Sequence, residues 1–129
     1  MNKELPKNIE AEKCLIGSMF WSNESLQKGC EEVEKEIFYL DSHAKIFEAI
    51  KSLYLNNTPV DITSLTTYLI SIDKINEVGG VEYLNEIVNS VATGANIEYY
   101  INLVSDKYTL RKMIEVATDI VNKATNQDN

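Results

Sequence analysis

INEVGGVEYL (residues 75–84) sets two adjacent glycines between residues that otherwise suit helices. A phosphate loop, a hinge and a corner between helices would each use Gly79 and Gly80 differently. A phosphate loop needs G-x-x-x-x-G-K-[ST] between a strand and a helix, so that the lysine reaches the phosphates. Here Val81, Glu82 and Tyr83 follow Gly80, and Glu82 would repel a phosphate. The segment before the glycines is polar and helix-like, unlike a buried strand. The pair therefore reads as a corner. One glycine takes the left-handed conformation that ends a helix. The other starts the next helix close against a neighbour.

Helical patterns extend on both sides of this corner. A fifth helix begins at the double glycine and carries Val81, Leu84, Ile87 and Val88. The fourth presents Ile62, Leu65, Leu69 and Ile72 and follows NNTPVD (56–61). In that stretch Pro59 cannot continue a preceding helix, and Asp61 is placed to cap the next. The third runs from about Ser42 to Asn56. Its Ile46, Phe47, Ile50, Leu53 and Tyr54 recur at amphipathic spacing. Asn8 is a suitable N-cap for the first, with Glu10 and Glu12 in its first turn. Ile9, Leu15, Ile16, Met19 and Phe20 lie on one side of that helix. A short second helix follows Ser22 or Asn23, through about Gly29. No strand alternation or Asn-Gly hairpin turn appears. The expected class is all-α: a compact multi-helix head over residues 1–93, then a long helix.

That last helix opens at Thr93 or Gly94 and reaches about Ala124. At about 100° per residue, Ile97, Ile101, Val104 and Tyr108 fall on one stripe. Leu110, Met113, Ile114, Ala117, Ile120 and Val121 fall on a second, rotated by roughly half a turn. A helix packed on one core keeps one phase. The jump near Thr109 assigns the first half to the domain body. The second half should face another helix, another copy or a partner. No later helix covers it, so the sequence reads as a fragment.

Composition narrows the function. The chain has 129 residues, enough for one domain, and 44% of them are hydrophobic. Its net charge is −8, and EEVEKE (31–36) is an acidic run with no basic counterpart. A phosphate-binding surface needs clustered Lys and Arg, so direct nucleic-acid binding is not expected. Neither a membrane span nor a secretory leader is legible, and a cytoplasmic protein is expected. Cys14 and Cys30 read as free thiols, since two cysteines and one histidine cannot complete a structural zinc site without carboxylates. The single histidine also removes most catalytic triads. No catalytic, cofactor or metal site is expected.

Two polar residues fall within apolar stripes, Glu12 on the first helix and His43 on the third. Acid–base or metal roles are conceivable, but both read as structural ties, and a contact between them is a weaker expectation. A buried carboxylate must be hydrogen-bonded or paired. Trp21, Tyr99, Tyr100 and Tyr108 lack basic neighbours for base stacking and read as packing residues. Tyr83 is the exception: with Leu84 taking the inward position, it is expected to point outward as a protein-binding anchor.

VGGVEYL resembles the N-terminal domain of the bacterial replicative DNA helicase of the DnaB type. The resemblance continues in order through PKNIEAEKCLIGSMF, IFYLDSHAKIFEAI, TPVDITSLTTYL, NEVGGVEYLNEI, ATGANIEYYINLV and KYTLRKMIEVATDI. It covers about residues 6 to 122. It implies a helical head followed by a helical hairpin whose first arm is residues 94–129. The second arm, the linker and the RecA-like ATPase domain, with its ATP and magnesium, would lie outside this chain. The family commonly has Pro and Ala where this chain reads Val91-Ala92-Thr93-Gly94, and Gly94 should loosen the start of the helix. The resemblance further implies dimers assembling into a hexameric collar that binds the C-terminal helicase-binding domain of primase, and a helicase loader as a further partner. By resemblance and exposure, Tyr83, Ile114 and Ile120 are the expected primase contacts. Gly79, Gly80, Glu12, His43, Pro59 and Asp61 are the expected structural residues. A stand-alone regulatory or loader-like protein with the collar fold and no motor is the alternative.

Overall fold

Local capping sets where half of the α-helices begin in the computed structural model, which describes residues 4–94 and 96–126. The order is α1 (Ile9–Ser18), α2 (Asn23–Glu32), a 3-10 turn (Lys35–Ile37), α3 (Asp41–Leu55), α4 (Ile62–Ser71), α5 (Gly80–Val88) and α6 (Ile97–Thr125). Among the described residues there is no strand. The Asn8 side chain accepts from the Ala11 amide to open α1, and Ser22 does the same for Ser25 at α2. Asp61 and Ser64 form a reciprocal capping box at α4. Ser64 Oγ also donates to the Pro59 carbonyl at 2.7 Å, which ties the proline turn to the helix start.

The exits of α3 and α4 share one device. Asn57 (φ 59°) and Asp73 (φ 58°) are left-handed, and just beyond them the Thr58 and Lys74 amides reach back to Leu53 and Leu69 carbonyls. Asn and Asp tolerate this conformation better than other side-chain-bearing residues. Gly79 does the same at φ 104°, with the Gly80 amide bonded to the Ile75 carbonyl at 2.9 Å. The corner is as expected, but the division of labour is not. Gly80 is also left-handed (φ 76°), and a Cβ there would meet only open space. The close approach belongs to Gly79, where a Cβ would lie 2.8 Å from Tyr83 Cβ. Residues 75–79 form turns rather than the end of a polar helix.

The core gathers Leu15, Ile16 and Met19 of the α1 segment, Ile46, Phe47 and Ile50 of α3, Leu65 and Leu69 of α4, and Leu84 and Ile87 of α5. α1 is the centre, packing against α2, α3, α5 and α6. α2 runs on to Glu32, past its expected end near Gly29, because Cys30 faces the core and Val33 is buried just beyond. The acidic stretch ends α2 with Glu31 and Glu32 and runs into the 3-10 turn, pinned by buried Ile37. Two expected core residues are exposed: Ile72 is the C-cap beyond the last turn of α4, and Val81 is in the first turn of α5. Trp21 and Tyr99 are exposed rather than packed.

α6 starts at Ile97, later than expected, and spans 29 residues, about 44 Å at 1.5 Å per residue. Gly94 lies outside it. The Gly94 carbonyl accepts from Ser25 Oγ, and a Cβ there would sit 2.8 Å from Trp21 Cβ. Glycine here lets the chain pass close to α2. Ile97, Ile101 and Val104 are buried, while every residue from Lys112 to Asn126 is exposed. The phase jump thus marks where α6 leaves the head.

Candidate functional site

Glu12 is 1% and His43 0% exposed, and they meet with Oε1 2.7 Å from Nδ1. Glu12 does more than hold the imidazole. Its carboxylate accepts from the Tyr39 amide at 2.7 Å and the Leu40 amide at 3.4 Å. These amides lie at the start of α3, whose N-cap residue Leu40 provides no side-chain cap. A carboxylate from α1 therefore holds the turn into α3 and stands near its N-terminus, where the helix dipole favours an anion.

The other imidazole nitrogen, Nε2, lies 2.5 Å from the Tyr83 hydroxyl. With Nδ1–H donated to Glu12, Nε2 accepts from Tyr83, and each atom of the relay has a partner. The rings of His43 and Tyr83 lie nearly parallel, 3° apart in plane with centroids at 5.8 Å. Burial pushes the Tyr83 phenol upward from its ordinary pKa. Tyr83 is thus half-buried and turned toward α3, which corrects its expected outward orientation. A buried imidazole nitrogen requires a partner, and neither the spacing of α5 nor Leu84 could reveal that need. Glu12 and His43 are sealed from solvent, and the relay ties α1, α3 and α5 together.

A second tie was not legible. Arg111 donates to the Pro6 and Ile37 carbonyls, each at 2.8 Å. Its guanidinium also lies over the Tyr39 and Tyr108 rings at 5.5 and 5.8 Å. It fastens the segment before α1 and the 3-10 turn to α6 just past the phase jump. A lone arginine gives no sequence signal for a partner 105 residues away.

Beyond Arg111 the apolar stripe stands uncovered. Ile114 is 42% and Ile120 62% exposed, and Leu110, Met113, Val116 and Val121 are exposed beside them. At its head end the stripe adjoins an open groove of about 460 Å³, with Leu5, Phe38 and Tyr39 on one wall and Tyr108, Ile114 and Thr118 on the other. The three expected primase contacts do not converge: α5, which carries Tyr83, packs on α1 and α4 and makes no packing contact with α6. Gly79, Gly80, Pro59 and Asp61 occupy the corner and the α4 cap described above. Among the described residues no group of three or more His, Cys, Asp or Glu could hold a metal ion. No helix of the described residues is long and apolar enough to cross a membrane.

Known proteins share this architecture. The family model for the DnaB-like helicase N terminal domain matches residues 4–106. The replicative DNA helicase DnaC of Bacillus subtilis is 43% identical over 115 residues, 89% of this chain and 25% of that protein. The replicative DNA helicase DnaB of Geobacillus stearothermophilus is 38% identical over the same share of each. The chain therefore spans about a quarter of the length of these relatives. The crystal structure of the N-terminal domain of DnaB helicase from Mycobacterium tuberculosis superposes with a TM-score of 0.91 at 28% identity, covering 95% of this chain and 87% of that one.

Proposed function

The chain belongs to the DnaB-like helicase N-terminal domain family, and from that membership we propose that it is the assembly and primase-docking domain of a replicative helicase. In this reading the domain does no chemistry. It joins copies of itself into a collar and offers that collar to the C-terminal domain of primase, while ATP hydrolysis and strand translocation belong to a motor domain outside this chain. A helicase loader is a further partner of the same collar.

The observation that carries the reading is the division of α6. Its first half packs on the head through Ile97, Ile101 and Val104, and from Leu110 onward it holds six exposed large apolar side chains on a projecting helix. Soluble domains rarely expose contiguous apolar surface of this kind unless it binds something. Ile114 and Ile120 are the proposed anchors. Tyr83 contributes only the edge left accessible by its bond to His43. Repetition of the surface around a ring would raise weak single contacts through avidity.

Calorimetric titration of the chain with the C-terminal domain of primase from the same organism, run beside light scattering, tests this. Saturable binding by a chain of defined mass supports it. Absence of binding by both monomeric and self-associated chain would refute primase docking.

A further inference from the structure

The buried relay and the arginine tie meet at Tyr39. Its amide donates to Glu12 at 2.7 Å, and its ring lies against the Arg111 guanidinium at 5.5 Å. Phe38 and Leu40 on either side have extended backbones, at φ −82°, ψ 130° and φ −80°, ψ 127°. This short segment is gripped from two sides. Toward the core, Glu12 takes the Tyr39 and Leu40 amides, and the Phe38 ring packs on Phe47 with centroids 5.4 Å apart. Toward α6, Arg111 takes the Ile37 carbonyl and meets the Tyr39 ring. A continuous path therefore runs from Tyr83 through His43, Glu12 and Tyr39 to Arg111. It joins α5 to α6, two helices that make no direct packing contact.

We propose that this path is a strut that sets the direction in which distal α6 leaves the head, and so couples the α5 corner to the projecting arm. Coupling between separated sites needs a contiguous element with two discrete arrangements. The first is the clasped arm, held by Arg111. The second is offered by the open groove of about 460 Å³ between Phe38 and Tyr39 on the head and Tyr108 and Ile114 on α6. With Arg111 released, the arm can lean into that space. Every described residue after Arg111 is exposed, so the head's hold on α6 ends at this side chain. The arm from residue 112 to the end of α6 at Thr125 is about 21 Å long. A tilt of about 10° would carry its end through about 4 Å, enough to re-aim Ile114 and Ile120. Coupling is reciprocal, so a load on the arm is felt at Tyr83. The inference concerns where the arm points and stands apart from primase docking.

The chain has a single histidine, so NMR of the nitrogen-15-labelled chain reads one end of the strut without ambiguity, through the imidazole nitrogens. Residual dipolar couplings of residues 112–126 relative to the head read the other end. Arg111→Lys keeps the charge and loses the fork that spans two carbonyls. It should shift the His43 nitrogen signals and tilt the arm. Tyr83→Phe removes one hydroxyl at the far end and should move the Tyr39, Leu40 and Arg111 amide signals, with a smaller tilt. Tyr39→Leu keeps the amide that Glu12 accepts and removes the ring, and should tilt the arm as Arg111→Lys does. Lys112→Gln, which breaks only an exposed pair with Glu115, should do neither. Three outcomes would each overturn the proposal. One is an unchanged imidazole and arm direction in folded Arg111→Lys. Another is a Tyr83→Phe response confined to α5 and His43. The last is a response to Lys112→Gln as large as that to Arg111→Lys.

Discussion

Replacing Glu12 with Ala should be among the most damaging single substitutions in this domain. The side chain is 1% exposed and accepts from His43 and the Tyr39 amide at 2.7 Å, with a longer bond from Leu40. Truncation leaves the buried His43 donor and the part-buried Tyr39 amide without an acceptor, at about 1–3 kcal/mol each. It also removes the anion near the N-terminus of α3. The expected loss is about 4 kcal/mol, a large fraction of the roughly 5–15 kcal/mol that holds a domain together. At about 4 °C per kcal/mol for a domain this size, the melting temperature should fall by about 16 °C. Glu12→Gln keeps the shape and one acceptor, and should cost about 1–2 kcal/mol. Tyr83→Phe removes only the hydroxyl on Nε2 and should cost about 1 kcal/mol. Urea unfolding followed by circular dichroism reads all three, as shifts in midpoint at constant slope. The reasoning fails if Glu12→Ala costs less than Tyr83→Phe, because then the carboxylate is not the acceptor on which the relay depends.

Other substitutions probe the corner, the arginine tie and the buried thiol. Gly79→Ala should destabilise more than Gly80→Ala in the same unfolding assay. Both incur left-handed strain of about 1–2 kcal/mol, but only Gly79 also meets Tyr83 Cβ at 2.8 Å. Arg111→Ala should cost about 1–3 kcal/mol and speed amide exchange in the 3-10 turn, while α1 keeps its protection. Equal exchange in variant and parent would show that the bonds to Pro6 and Ile37 hold nothing in place. Burial pushes the Cys30 thiol from 9.0 up to about 11. The unfolded thiol ionises first as pH rises, so the folded state should lose stability from about pH 9 to about pH 11. Cys30→Ala should lose that part of the alkaline fall, and an unchanged profile would remove Cys30 as a contributor.

Features set by neighbours along the chain were legible before any coordinates. The Asn8 and Asp61 caps, the stripe of α3 and the phase jump in α6 all follow from spacings of three to four residues. Features set by partners across the fold were not. Tyr83 turns inward because a histidine 40 residues earlier needs a hydroxyl. Arg111 acts through carbonyls on two other segments, and Gly94 is required by the proximity of Trp21 and Ser25. Helical periodicity also gives a stripe its direction without its limits, which is why Ile72 and Val81 emerged at helix ends in solvent. The Glu12–His43 contact lay between these cases. Polar residues on two apolar stripes signal a need for partners, without saying which element supplies the third.

The proposed role rests on the distal stripe of α6. Its most direct test is calorimetric titration of the C-terminal domain of primase into the parent chain and into the Ile114→Asp, Ile120→Asp double variant. Both positions are exposed, so the variant should melt with the parent. The predicted result is binding by the parent and a loss of at least about 100-fold, some 2.7 kcal/mol, in the variant, as expected when two anchor residues are removed. Equal affinity in a variant that folds like the parent would contradict the account and move the docking surface off α6.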